Sequence, residues 1–237
     1  MSPTIDDPAD AVPPVDELVA VPVWDWPVRL FHWAIVVLVA AAVITAKVGG
    51  NAMVWHMRCG FAILALVLFR IVWGFAGSRH ARFSSFLRGP SAVIEYARAF
   101  TTRSHPVSVG HNPLGGWSVL ALLLVLLAQA STGLFANDDI ITDGPLVRLV
   151  SKALSDTLTK LHYRNFWALA GLVGLHLGAV FYHLVAAKEN LIRPMVTGVK
   201  RLPRVVAGDD AGAASTPRAL LLLALCSFAV WWVVNKL

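Results

Sequence analysis

Five stretches of the chain carry almost no charge. They cover residues 28–46, 54–75, 117–135, 161–187 and 219–234. The first four are each close to the ~20 residues that a helix needs to cross the hydrocarbon of a bilayer. The fifth has 16 residues and closes on Trp231 and Trp232. Paired tryptophans mark the membrane–water interface, and we read this run as a short span rather than a helix lying in the interface. The pattern predicts an all-α membrane protein, a four-helix transmembrane bundle with an added C-terminal transmembrane helix. In the longest polar connection, SAVIEYARAF has the spacing of a short amphipathic helix on the membrane surface. No internal repeat or low-complexity segment is present.

Composition agrees with this. Of 237 residues, 57% are hydrophobic and 14% charged, where a soluble domain carries about 25% charged residues. Three regions are expected: an acidic, flexible cytoplasmic tail over 1–22, a transmembrane domain over 23–201, and a linker with the last apolar helix over 202–237. The tail holds Asp6, Asp7, Asp10, Asp16 and Glu17, the reverse of the basic start of a cleavable signal peptide. Cys59 and Cys226 form no CxxC or CxxCH motif and are read as small packing residues.

The net charge of +6 matters through its placement. Arg79, Arg82, Arg88, Arg98 and Arg103 lie between runs two and three, and Lys188, Arg193, Lys200, Arg201, Arg204 and Arg218 between runs four and five. Lys47 alone lies between runs one and two, and the connection from three to four mixes Asp138, Asp139, Asp143 and Asp156 with Arg148, Lys152 and Lys160. Positively charged loops stay inside, so both basic loops and the N-terminus are expected in the cytoplasm. Topology accounts for much of the charge, and no nucleic-acid partner is expected.

The fourth run carries His162, His176 and His183, separated by 14 and 7 residues. At 3.6 residues per turn these project from roughly one face. His56 and His162 open runs that start outside, and His32 sits near the cytoplasmic end of run one. From His162 to His176 is ~21 Å along a helix. The four histidines therefore fall at two levels, His56 with His162 and His32 with His176. A single histidine in a span is ordinarily a hydrogen-bonded packing residue, but two depth-matched pairs of costly intramembrane groups point to function. Two histidines from different helices can ligate one haem iron axially, and two such levels give two stacked haems in a bundle core. Each ring is expected to put one nitrogen on iron and the other on a carbonyl or carboxylate. His183, ~10 Å further along, is an alternative ligand or an interfacial residue.

Other residues divide between cofactor and plain structure. Arg29, Arg58 and Arg164 stand where they could pair with haem propionates. Gly60, Gly171, Gly174 and Gly178 suit a porphyrin lying against backbone, and equally suit close helix packing. Arg70 is read as snorkelling to the interface, and His80, His105 and His111 as solvated. Trp24, Trp26 and Trp33 read as belt residues. Asn112 and Trp117, in GHNPLGGW, are read first as a turn before a helix and second as a quinone pocket.

These residues resemble the bacterial cytochrome b561 family, including the b-type cytochrome subunits of nickel-iron hydrogenases and formate dehydrogenases. The matching elements are RLFHW, WHMRCG and the pair His162-x13-His176, with FRIVWGFAGSRHARF, GHNPLGGWSVLALLL and ENLIRPMVTGVK, over roughly residues 22–201. The resemblance implies a four-helix core with two non-covalent b haems, His56 and His162 on the periplasmic one and His32 and His176 on the cytoplasmic one. It also implies electron transport between membrane quinone and a partner, a periplasmic redox enzyme or cytochrome c. The fifth apolar run and the short external connection at Lys47 depart from the family pattern.

The expectation is thus an inner-membrane di-haem cytochrome b in a respiratory chain. Its rivals are a stand-alone superoxide:quinone oxidoreductase, for which Lys47, Arg58 and Arg164 would be the positive funnel, and a haem-free anchor or proton-linked transporter with histidine relays.

Overall fold

The computed structural model describes residues 18–101, 108–203 and 214–236. The chain begins with a short strand β1 (Leu18–Pro22). Helix α1 (Trp26–Val48) starts at Asp25, whose Oδ1 accepts the N–H of Val28 at 2.8 Å, and Pro27 fills the first turn. Proline fits there because its missing N–H would be unsatisfied anyway. The helix stops at Gly49 and Gly50, with φ of 67° and 53°. Those left-handed values, open to glycine without steric cost, turn the chain at once into α2 (Met53–Ala76). Short α3 (Phe83–Phe86) and amphipathic α4 (Pro90–Thr101) follow. α5 (Pro113–Gly133) begins with Asn112 accepting the N–H of Gly115 at 2.7 Å, so this residue is a helix cap.

α6 (Lys152–Val185) has 34 residues and is ~51 Å long, well beyond the ~30 Å of a hydrocarbon core. Capped by Ser151, it starts at Lys152, nine residues before the apolar run that marks it in the sequence. Its first turns are polar, so hydropathy does not register them. α7 (Ile192–Thr197) ends at Gly198, φ 84°, and β2 (Val199–Pro203) pairs antiparallel with β1, Leu18 opposite Pro203. Among the described residues α8 (Thr216–Lys236) is the fifth helix long and apolar enough to cross a membrane, with α1, α2, α5 and α6 the others.

α2 is the hub. It packs on α1, α5 and α8, and α5 packs on α6. The principal core layer draws Ala42 from α1, Ile63 and Val67 from α2, Leu123 and Leu126 from α5, and Leu169 from α6. A second cluster joins Leu64 and Ala65 of α2 to Leu134, Leu146 and Val230. The outward residues of these helices are exposed hydrophobics such as Val37, Ile44, Leu175 and Leu225, the surface that a bilayer solvates. Cys59 and Cys226 are both free.

Asp25 ties α1 to the end of α2. Besides capping α1, its Oδ2 accepts the indole N–H of Trp73 at 2.9 Å and the hydroxyl of Ser78 at 2.7 Å. Trp73 is 1% exposed, so its N–H has no access to water. Asp25→Ala is expected to cost about 1–3 kcal/mol through that stranded donor and about 1 kcal/mol more through the lost cap. A lowered thermal midpoint of the detergent-solubilised protein would show it, and an unchanged midpoint would contradict it.

Candidate functional site

α1, α2 and α6 bring the four nominated histidines into two pairs. The rings of His56 and His162 lie with centroids 6.1 Å apart and planes at 84°. The rings of His32 and His176 lie 6.4 Å apart at 53°. The two levels are separated by the 14 residues of α6 between His162 and His176, ~21 Å. Among the described residues no three of His, Cys, Asp or Glu gather as a metal cluster. The metal chemistry open to these pairs is axial ligation by two imidazoles.

At the first pair the tautomers are set by backbone. His56 Nδ1–H donates to the carbonyl of Ala42 at 2.9 Å, and His162 Nδ1–H to that of Gln129 at 2.9 Å. A ring held in this way presents Nε2 as the lone-pair donor, the arrangement metal-bound histidines use. The Nε2 of His162 accepts from the Gln129 side-chain amide at 3.0 Å. Gln129 Oε1 in turn accepts from Asn165 at 2.7 Å, whose amide also reaches the Val125 carbonyl at 3.0 Å. Gly133 lets His162 approach: a Cβ there would lie 3.1 Å from Cε1 of the ring. Gln129, Asn165 and Gly133 went unnoticed in the sequence because each reads as an ordinary residue of an apolar helix.

At the second pair, His32 Nδ1 is buried with no hydrogen bond among the described residues. His111 stands beside it. Its ring packs on Trp24 (centroids 4.6 Å apart) and Phe86 (4.9 Å). Burial, then the fields of Arg70, His176, His80 and His32, pull its pKa down to about 3. It is neutral and half-buried, not fully solvated, because Trp24, just before α1, and Phe86 of α3 pack on its ring at the start of α5. His105 lies outside the described residues. A cavity of about 410 Å³ opens here, lined by His111, His80, Phe86, Arg79, Arg88 and Pro113 among others. Asn112 is next to it in sequence, and Trp117 donates its indole N–H to the Arg88 carbonyl at 2.9 Å.

His183 sits apart from both pairs. Its Nδ1–H meets Glu189 Oε2 at 2.9 Å, and Lys200 Nζ meets Oε1 of the same carboxylate at 2.6 Å and the Ser108 carbonyl at 2.6 Å. Burial alone would raise the Glu189 pKa, but the hydrogen bond and charge of Lys200, with His183, bring it below its ordinary value. Of the three nominated arginines, Arg29 donates to the Val196 carbonyl at 2.6 Å, while its Nε is buried with no hydrogen bond among the described residues. Arg58 leans on the Trp55 ring, 4.8 Å from its centroid, and Arg164 is exposed. Arg70 does not snorkel. It is 3% exposed, with its guanidinium 5.4 Å from the centre of the Phe83 ring.

The glycines also divide. A Cβ on Gly60, Gly171, Gly174 or Gly178 would meet nothing within 4 Å. At about 100° per residue, however, Gly171, Gly174 and Gly178 lie about 180°, 120° and 160° around α6 from His162, whereas His176 lies within about 40° of it. The three therefore line the opposite face, and only Gly60 stays on the histidine side of its own helix.

The prokaryotic cytochrome b561 family model matches residues 23–198. Two relatives are each named a probable Ni/Fe-hydrogenase B-type cytochrome subunit. The one from Bradyrhizobium diazoefficiens is 23% identical over 211 residues, covering 76% of this chain and 85% of its own. The one from Rhodobacter capsulatus is 24% identical over 210 residues, covering 74% and 79%. A probable Ni/Fe-hydrogenase 1 B-type cytochrome subunit of Escherichia coli is 24% identical over 143 residues, covering 50% and 60%. No solved structure matches significantly. With the family match spanning most of the chain and five membrane-length helices around paired histidines, this protein belongs to the prokaryotic cytochrome b561 family, multi-pass membrane proteins of electron transfer that carry b-type haem.

Proposed function

We propose that the chain holds two b haems, one on His56 and His162 and one on His32 and His176, and passes electrons across the bacterial inner membrane between quinone and a periplasmic redox partner. The observation that carries this is the meeting of two imidazole pairs, 6.1 Å and 6.4 Å between ring centres, at two levels of one bundle. Bound haem b would supply a one-electron couple. The chain's part is to aim the rings, hold their tautomers through Ala42 and Gln129, and keep water from the apolar core. Arg29, with its buried Nε, is the best placed of the three nominated arginines to meet a propionate.

Charge placement supports a cytoplasmic N-terminus, because the loops on the His32 side carry the arginines. The names of the relatives favour a hydrogenase-type enzyme as the external partner, and a cytochrome c would serve the same chemistry. The quinone belongs in the 410 Å³ cavity at His111. It is of the size that small-molecule sites have, offers ring and guanidinium N–H donors to carbonyl oxygens, and adjoins the His32–His176 pair.

The purified protein in liposomes tests the whole reading. Two low-spin b haems per chain are expected, reduced by an added quinol and reoxidised by ferricyanide confined to the other side. Colourless protein, made with ample haem, would overturn it in favour of an anchor or transporter. Reduction by superoxide in place of quinol would turn it toward the stand-alone oxidoreductase. Ser85→Trp, filling the cavity from its wall, is expected to slow reduction by quinol at least ten-fold and leave reduction by dithionite unchanged.

A further inference from the structure

Arg70 repeats on α2 the spacing that His176 has on α6. It follows His56 by 14 residues, as His176 follows His162. α2 and α6 run in the same direction, each leading away from the His56–His162 level. Fourteen residues bring Arg70 ~21 Å along, to the level of His32 and His176, and within about 40° of the face that bears His56. The side chain is 3% exposed and its buried Nη1 has no hydrogen bond among the described residues. Its aromatic neighbour is Phe83, and its charge reaches His111. The carboxylate whose field reaches it, Asp25, already accepts from Val28, Trp73 and Ser78. A guanidinium in a membrane span with no ion pair among the described residues is costly and points to a functional contact.

We infer that Arg70 is the fixed counter-charge of the cofactor held by His32 and His176, pairing with a carboxylate of that haem. This rests on the haem assignment proposed above. Arginine suits the task because its charge is permanent and its planar fork fits a carboxylate in two-point contact. A buried cation beside a haem favours the reduced, less positive iron. Its removal therefore lowers that haem's midpoint potential and leaves the haem at His56 and His162, on the other level, as an internal control.

The experiment is a spectroelectrochemical titration of the full-length, haem-loaded protein and its Arg70→Gln and Arg70→Lys variants. Arg70→Gln is expected to lower one midpoint by at least 59 mV, a ten-fold shift for one electron, with both haem spectra retained. Arg70→Lys should restore most of the loss. Reconstitution with haem dimethyl ester, which has no free carboxylate, should shrink the difference between wild type and Arg70→Gln. Two unmoved midpoints would overturn the inference while leaving the di-haem reading intact. Two equal shifts, or a shift that persists undiminished with the ester, would likewise overturn the pairing. Loss of one haem on Arg70→Gln, with the other intact and Arg70→Lys normal, would support it. Wild-type protein without two haems would defeat the parent reading first.

Discussion

Alanine at His56 or His162 removes one low-spin haem, and alanine at His32 or His176 removes the other. This is the expected result of four single variants, each purified and scored by haem per chain and by reduced-minus-oxidised spectrum. The argument is geometric. Each imidazole has one partner imidazole at 6.1–6.4 Å, and that partner belongs to another helix. Loss of either member leaves an iron with one axial donor, so the two variants of a pair should look alike and differ from the other two. Transfer across the membrane should fall by more than the ~10–100-fold that changes around a metal ligand cost, because a wire with one centre missing does not conduct. Added imidazole should restore part of the spectrum in each case. Retention of both haems in all four variants would sink the assignment, and a pairing of His162 with His32 in phenotype would redraw it.

The second large effect is expected at a residue with no chemistry of its own. Gly133→Val places methyl groups where the His162 ring lies, since even a Cβ would come within 3.1 Å of Cε1 and 3.3 Å of Nδ1. The ring cannot withdraw without giving up the Gln129 carbonyl, its anchor at 2.9 Å. Over-packing of this kind costs about 1–3 kcal/mol, borne by one imidazole beside the end of α5. The variant should therefore fold, keep the haem at His32 and His176, and lose or shift the other. Gly133→Ala should show the same defect in weaker form. Equal loss of both haems would mean general unfolding, and a normal spectrum would mean that the ring has room the structure does not show.

What could be read from the sequence and what could not follow from the range of the forces. The spans were legible because burial in lipid leaves its mark on every residue, and the two histidine levels followed from counting turns along α1, α2 and α6. The early start of α6 was hidden because residues 152–160 are helical outside the hydrocarbon, where Lys152 bonds Asp139 and Asp156 and no apolar pattern is needed. His111 and Arg70 were misplaced for the opposite reason. Each looks solvated or interfacial along the chain, and only the packing of Trp24, Phe86 and Phe83 from distant segments encloses it. The pairing of β1 with β2 joins segments some 180 residues apart, beyond any local signal. Of the two readings open to the glycines of α6, the helix periodicity leaves packing, because Gly174 and Gly178 are two residues from His176 and two residues on a helix is about half a turn.

α6 has one more consequence. The interval between the two histidine levels is 14 residues of one unbroken helix, so it is fixed by backbone hydrogen bonds and not by the surrounding lipid. A bilayer that thickens or thins by a few ångströms is accommodated by tilt or at the margins of a span. α6 has margin to spare, because its first turns overhang the apolar run. The tunnelling distance between the two centres would then be the same in a thin membrane as in a thick one. A cell could remodel its acyl chains with temperature without retuning this step of its electron transport.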